Sequence, residues 1–252
     1  MRHIEFERLH NFRDLGGYRT NDGRMVRWQR LYRSDSLAKL EGADWDRFLD
    51  LGVRTVIDLR YPWEIAAGGR VPETDALTYV NLSIEHRPYD QANIDPEVDP
   101  WRFLADRYAE VVFDGAKQIQ QALEIIASDS APLVFHCASG KDRTGLLAGL
   151  VLGLVGVSED DISADFALTE LATNRLIADW HAFHPGATIK WPGFGRAPSE
   201  IMRLFLSDLN AAYGSVHDYA VGDAGVDEEL ISALRHRLLD ELSGPRPRRS
   251  QS

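Results

Sequence analysis

The sequence predicts an α/β fold: a mostly parallel central sheet flanked by helices, with a helical C-terminal half. Three observations carry this. Up to residue 157, short runs of β-branched and aromatic residues bounded by turn signals alternate with stretches of helical length. Beyond that point helical patterns alone recur. The chain has 252 residues and 44% apolar content, enough for one large domain with a substantial core. No internal repeat interrupts the order, so a single domain is expected over 1–242.

The opening residues are mixed in character. Asn11, Phe12, Arg13, Asp14 and Leu15 lead into the turn pair Gly16-Gly17, and Asn21-Asp22-Gly23 marks a second turn. Short strands are expected at 25–28 and 30–32, with the polar stretch 33–36 as a turn. Leu37, Leu40, Trp45, Phe48 and Leu49 have helical spacing, so a helix is expected over 37–51, stopped by Gly52. The run 53–59 (VRTVIDL) reads as a strand whose end carries Asp58 and Arg60, where open α/β sheets place their sites. Glu64 stands at i,i+4 from Arg60, which predicts an ion pair if a helix begins there. Another strand is expected at 77–82.

Residues 85–100 are polar, carry Pro88, Pro96 and Pro100, and form a loop of lid length. A helical pattern follows over 101–126, bent near Gly115, and the lid-like insertion is drawn at about 85–127. Its aromatics Tyr89, Tyr108 and Phe113 suit either stacking on a substrate ring or packing on the core. A strand at 133–135 precedes a buried helix that runs to Val157. Ser158 reads as a helix cap with Glu159, Asp160 and Asp161 in the first turn. Helical patterns then cover 162–180, 199–209 (Ser199 as its cap), 212–219 and 226–242, with a Gly- and Pro-rich excursion at 181–198. The tail 243–252 (SGPRPRRSQS) is basic and Pro-rich, and is expected to be disordered.

The chemistry concentrates in 133–145, LVFHCASGKDRTG. An apolar strand turns polar at His136, Cys137 follows, and Arg143 closes the loop where an apolar helix begins. Backbone N–H groups of a compact loop over a helix N-terminus bind phosphate, and Gly140 tolerates the positive φ such a loop needs. The same field favours a thiolate over a thiol, and an arginine fork fits two phosphoryl oxygens. Nucleophile, amide cradle and bidentate cation together make a cysteine phosphatase site. A nucleotide-binding loop is excluded, because its pattern needs glycine at Phe135 and Ser or Thr at Asp142.

Net charge is -11, from 28 basic and 39 acidic side chains, which argues against a general nucleic-acid or anionic-membrane surface. Cys137 is the sole cysteine, so no intramolecular disulfide is possible. The N-terminal stretch has no signal-peptide core, and the longest apolar run, 146–157, is too short to span a bilayer, so no stable membrane insertion is expected. His181, His184 and Asp179 lack further ligands for a metal, and the chemistry needs neither metal nor cofactor.

The strings NFRDLGGYRT and HCASGKDRTG, with RLYRS and TVIDLR between them, resemble the bacterial tyrosine-phosphatase family over nearly the whole chain. The resemblance implies the cysteine-phosphatase-like fold and hydrolysis of phosphotyrosine, with breadth toward phosphoserine, phosphothreonine and phosphoinositides. It also implies that the N-terminal turn with Asn11, Arg13 and Asp14 packs beside the signature loop. A cytoplasmic location is expected, and the family resemblance is compatible with export without a cleavable signal. The chain departs from animal tyrosine phosphatases in lacking a Trp-Pro-Asp acid loop, since Trp191-Pro192 is followed by Gly193.

In this reading Cys137 attacks phosphorus and forms a phosphocysteine, and Arg143 with the backbone of Ala138, Ser139, Gly140 and Lys141 cradles the oxygens. His136 orients the loop from behind, and Thr144 donates to the departing sulfur. The general acid is Asp142 or Asp58, with Asp142 favoured; Asp58 alternatively holds Arg60 or Arg33. Lys141 is a point charge at the mouth that suits multiply phosphorylated substrates. Inorganic phosphate is the product. The competing readings are a phosphate-recognising module without turnover, and arsenate reduction, which wants further cysteines.

Overall fold

The apolar run that ends in His136 is the middle strand of the sheet. The computed structural model describes residues 2–84 and 90–241. The five-stranded sheet has the order β1-β2-β5-β3-β4. Its strands are β1 (Arg13–Asp14), β2 (Leu31–Ser34), β3 (Thr55–Asp58), β4 (Thr78–Asn81) and β5 (Leu133–His136). Only β1 runs antiparallel, and β2 and β3 flank β5 so that Ser34 and Asp58 both stand level with His136. Alternate side chains enter two cores, as the period of a strand requires. Leu133 and Phe135 face one, Val134 the other, and β2 and β3 split likewise at Leu31 and Tyr32, and at Ile57 and Val56.

The smaller core is closed by the N-terminal residues Phe6, Leu9 and Phe12 and by α1 (Gly42–Asp50). The larger lies under α3 (Pro100–Asp114), α4 (Ala116–Ser128), α5 (Asp142–Val155), α6 (Glu159–Ala167), α8 (Ser199–Tyr213), α9 (Val216–Gly222) and α10 (Glu228–Leu238). The short α2 (Pro62–Gly68) follows β3, and α7 (Thr173–Phe183) lies on the surface with Thr173 as its one buried residue. Helix α5 is apolar all round and buried along nearly its whole length, which makes it the pillar of the helical half.

Several expectations change. Residues 25–28 are not a strand; Met25 and Val26 make isolated bridges to Arg19 and Leu239. Arg33 and Ser34, expected in a turn, continue β2 and are fully buried, because parallel pairing with β5 carries them inward. The helix over 37–51 is interrupted between a 3-10 turn at Leu37–Lys39 and α1. That over 162–180 divides into α6, a 3-10 turn at Leu168–Leu171, and α7. Ser158 caps α6 as expected, accepting from the Asp161 N–H, whereas Ser199 is the first residue of α8 and Pro198 holds the cap position.

The insertion at 85–127 is not a lid throughout. Helices α3 and α4 bury Leu104, Tyr108, Val112, Ile119, Leu123 and Ile126 in the larger core. They meet at Gly115, where a Cβ would come within 2.2 Å of the Ile84 carbonyl oxygen. Among the described residues, the 3-10 turn Gln91–Asn93 and the Tyr108 hydroxyl of α3 both reach the end of the signature loop at Asp142. Tyr89 and the tail 243–252 lie outside the described residues.

Candidate active site

The signature loop leaves β5 at His136 and enters α5 at Asp142. Three of its carbonyls are tied outward to the body of the protein. Ala138 O accepts from the Ser36 N–H at 3.0 Å, Ser139 O from Asn11 Nδ2 at 3.0 Å, and Gly140 O from Arg33 Nη2 at 2.7 Å. In trans peptides the N–H of the next residue points the opposite way, so the N–H groups that follow these carbonyls turn from the body. Gly140 has φ +68, and a Cβ there would lie 2.5 Å from Ser34 O. The N-terminal turn therefore packs against the signature loop, with Asn11 as its direct contact.

Beneath the loop, Asp165 of α6 receives two arginines. Arg13 Nε lies 3.1 Å from Oδ1 and Arg33 Nη1 2.7 Å from Oδ2, while the Tyr18 hydroxyl donates to Oδ1 at 3.0 Å. Burial alone would raise the Asp165 pKa; the two guanidinium groups outweigh it and hold the carboxyl at about 2. Burial pushes Arg33 down to about 10, so it keeps its charge at neutral pH. Two cations facing one carboxylate place net positive charge under the loop.

A cavity of about 280 Å³ opens above it, lined by Cys137, Ala138, Ser139, Lys141, Asp142 and Arg143. Cys137 and Arg143 thus share one hollow. Arg143 is oriented by Glu64 in the first turn of α2, at 2.5 Å from Nη1 to Oε2 and 3.0 Å from Nη2 to Oε1. Burial would raise Glu64, but its hydrogen bonds with Arg143 prevail and lower it. The predicted Glu64–Arg60 pair does not form. Arg60 precedes α2, outside the helical register, and turns to Asp58 instead.

Asp58 is fully buried and engaged. Arg60 donates to its two oxygens at 2.9 and 2.7 Å, and the Tyr79 hydroxyl donates at 3.0 Å. Burial opposes its charge, yet His136 and Arg60 lower its pKa. The expectation that Asp58 faces the mouth is corrected: it holds Arg60, one of the alternatives for it. His136 is likewise fully buried and does not line the cavity. Burial lowers its pKa, and its Nδ1 donates to the Cys137 carbonyl at 3.1 Å, so it supports the loop from behind.

Asp142 lies at the cavity, with the Tyr108 hydroxyl donating to Oδ1 at 2.8 Å and Gln91 Nε2 to Oδ2 at 3.3 Å. Lys141 is buried, with Nζ 3.3 Å from Asp142 Oδ1 and 3.4 Å from Gln91 Oε1, rather than a solvated charge at the mouth. Thr144 Oγ1 is buried and finds no hydrogen-bond partner among the described residues, so the expected bond to the Cys137 sulfur is not formed here.

The apolar wall of the cavity comes from a region not singled out for it: Leu176, Ile177 and Trp180 of α7, with Phe194. Of the aromatics expected there, Tyr108 sits in the core and Phe113 is exposed to solvent. Trp191 is buried and donates Nε1–H to the Val98 carbonyl at 3.1 Å, a structural role. Asp179 pairs with Lys39 at 2.9 Å and His10 at 3.3 Å. Among the described residues no cluster of His, Cys, Asp and Glu could hold a metal, and no helix is long and apolar enough to cross a membrane. The residues that sequence reasoning missed are Glu64 as partner of Arg143, Arg33, Asp165, Gln91 and the α7 wall.

Comparison with known proteins places the chain. A sequence profile described as the tyrosine phosphatase family matches residues 4–240. A Cupriavidus necator protein, described as a candidate tyrosine-protein phosphatase, is 31% identical over 243 residues, covering 92% of this chain and 84% of the relative. A tyrosine-protein phosphatase of Nostoc commune is 30% identical over 219 residues, covering 82% and 73%. The triple specificity protein phosphatase PtpB of Mycobacterium tuberculosis is 25% identical over 272 residues, covering 91% and 96%.

Proposed function

We propose that this chain, which belongs to the tyrosine phosphatase family, removes the phosphoryl group from phosphotyrosine by way of a phosphocysteine. It is a cysteine-dependent phosphatase. The observation that carries the finer reading is the shared cavity of Cys137 and Arg143, above a loop whose carbonyls are tied away from it.

In the first step a lone pair of the Cys137 thiolate forms the S–P bond. The ester P–O bond breaks with its electron pair on the phenolic oxygen, and neutral Asp142 gives that oxygen its proton. Arg143, aimed by Glu64, and the loop amides hold the equatorial oxygens as charge shifts onto them. In the second step water attacks phosphorus, the Asp142 carboxylate takes its proton, and the S–P pair returns to sulfur. Inorganic phosphate leaves. Thr144 donates to the departing sulfur in this step; its hydroxyl has no competing partner among the described residues. Asp58 is unsuited to the acid role, because it is buried and held ionised by Arg60.

Trp180 and Phe194 in the wall favour an aryl ester. A broader range, including phosphoserine, phosphothreonine and phosphoinositides, is the second reading, favoured by the buried Lys141 at the cavity and by the relative named for triple specificity. A catalytic thiol with no other cysteine in the chain suits a reducing compartment, which favours the cytoplasm.

Hydrolysis of p-nitrophenyl phosphate without added metal tests the assignment. Cys137→Ser is expected to abolish turnover while phosphate binding persists. Unchanged turnover would defeat it, and binding without any turnover by the native chain would favour a recognition module.

A further inference from the structure

We propose that Tyr108 is a positioning residue for the proton transfer assigned to Asp142, selecting the carboxyl oxygen that carries the proton. The inference rests on the phosphatase reading above and deepens it. Tyr108 is 2% exposed, on α3, with its ring edge-on to Phe166 (6.1 Å, 75°) and Phe205 (5.9 Å, 77°). The hydroxyl is thereby delivered from the core, and it donates to Asp142 Oδ1 at 2.8 Å. The Lys141 ammonium lies 3.3 Å from the same oxygen.

An ammonium only donates, and the phenol donates here as well, so a proton on Oδ1 would face two donors. It is directed to Oδ2. The neighbour of Oδ2 is Gln91, which belongs to the cavity wall. Lys141 donates to Gln91 Oε1 at 3.4 Å, which turns the amide nitrogen to Oδ2 at the longer distance of 3.3 Å. The transferable proton therefore sits on the oxygen whose contact is weak, and passes from there to the ester oxygen as the P–O bond breaks. Without the phenol, the Lys141 ammonium alone disfavours a proton on Oδ1, and the carboxyl is held only by its two longer contacts.

The test is Tyr108→Phe in the full chain, with phenyl phosphate and 2,4-dinitrophenyl phosphate as substrates. The phenolate of the first needs a proton to leave; that of the second does not. The ratio of kcat/KM for phenyl phosphate to that for the dinitrophenyl ester, which reports the step that expels the phenolate, is expected to fall about tenfold, the worth of one hydrogen bond. This ratio does not depend on the fraction of the variant that is folded. Asp142→Asn is expected to lower the same ratio about a hundredfold, and the double variant no further. An unchanged ratio in Tyr108→Phe, or a double variant below Asp142→Asn, would overturn the role of Tyr108 alone. An unchanged ratio in Asp142→Asn would overturn it together with the acid assignment.

Discussion

Arg143 and Glu64 meet through two parallel hydrogen bonds, 2.5 Å from Nη1 to Oε2 and 3.0 Å from Nη2 to Oε1. The pair joins the first turn of α5 to the first turn of α2, so the plane of the guanidinium is set before any substrate arrives. Glu64→Gln keeps the shape and removes the charge and one acceptor. Its kcat/KM for p-nitrophenyl phosphate is expected to fall about tenfold to a hundredfold, the scale of a small misplacement in an active site. Steady-state kinetics with orthovanadate competition check this, since oxyanion affinity should weaken in parallel.

Asp165→Asn should be the most destabilising single change near the site, at about 3–5 kcal/mol, because it leaves two buried guanidinium groups without a counter-charge. The pH dependence has a definite sign. The folded-state pKa is depressed from 3.8 to about 2, so the carboxylate's contribution is fully present above 3.8 and is lost as pH falls toward 2. Urea denaturation over that interval should show native stability dropping steeply and the variant, already weakened at neutral pH, dropping less.

Gly140→Ala places a methyl group against the backbone of Ser34 and Asp35. The loop must lift off β2 and lose the Arg33 bond to its carbonyl, and activity is expected to fall about a hundredfold or more. Gly23→Ala is the control: its φ is also positive, at +87, but nothing lies within 4 Å. It should cost about 1 kcal/mol in stability and leave kcat unchanged.

Lys141→Ala tests substrate breadth. Loss of the buried ammonium is expected to slow phosphotyrosine peptides modestly and doubly phosphorylated peptides or phosphoinositides about tenfold more, because a second anionic group draws on the same point charge. Side-by-side profiling of the three substrate classes measures this, and equal losses on all would retire the selectivity.

What was legible in the sequence is what the chain encodes locally. Strand, loop and helix around Cys137 are contiguous, and their chemistry follows from residue types at fixed spacing. The strands at 53–59 and 77–82 announced themselves through β-branched and aromatic runs. The support of the site was not legible, because it is built from distant charged partners. Glu64 and Arg143 are 79 residues apart, and Arg13 and Asp165 152. Charged side chains are read as surface unless a partner is known, which is why Arg33 and Ser34 looked like a turn. Asp58 was placed at the correct strand end, but its side chain answers to Arg60 within the same short segment, not to the cavity. The wall of α7 was hidden for the opposite reason: its apolar residues resemble any helix face.

The dependence of both buried arginines on Asp165 bears on how the enzyme comes into being. A nascent polypeptide that has emerged only as far as Val155 already contains Cys137, the signature loop and Arg143. It still carries Arg13 and Arg33 with no carboxylate to sit against. Competence therefore arrives with the helices synthesised afterwards, and a ribosome-bound fragment stopped short of α6 should be inert however well its sheet has formed.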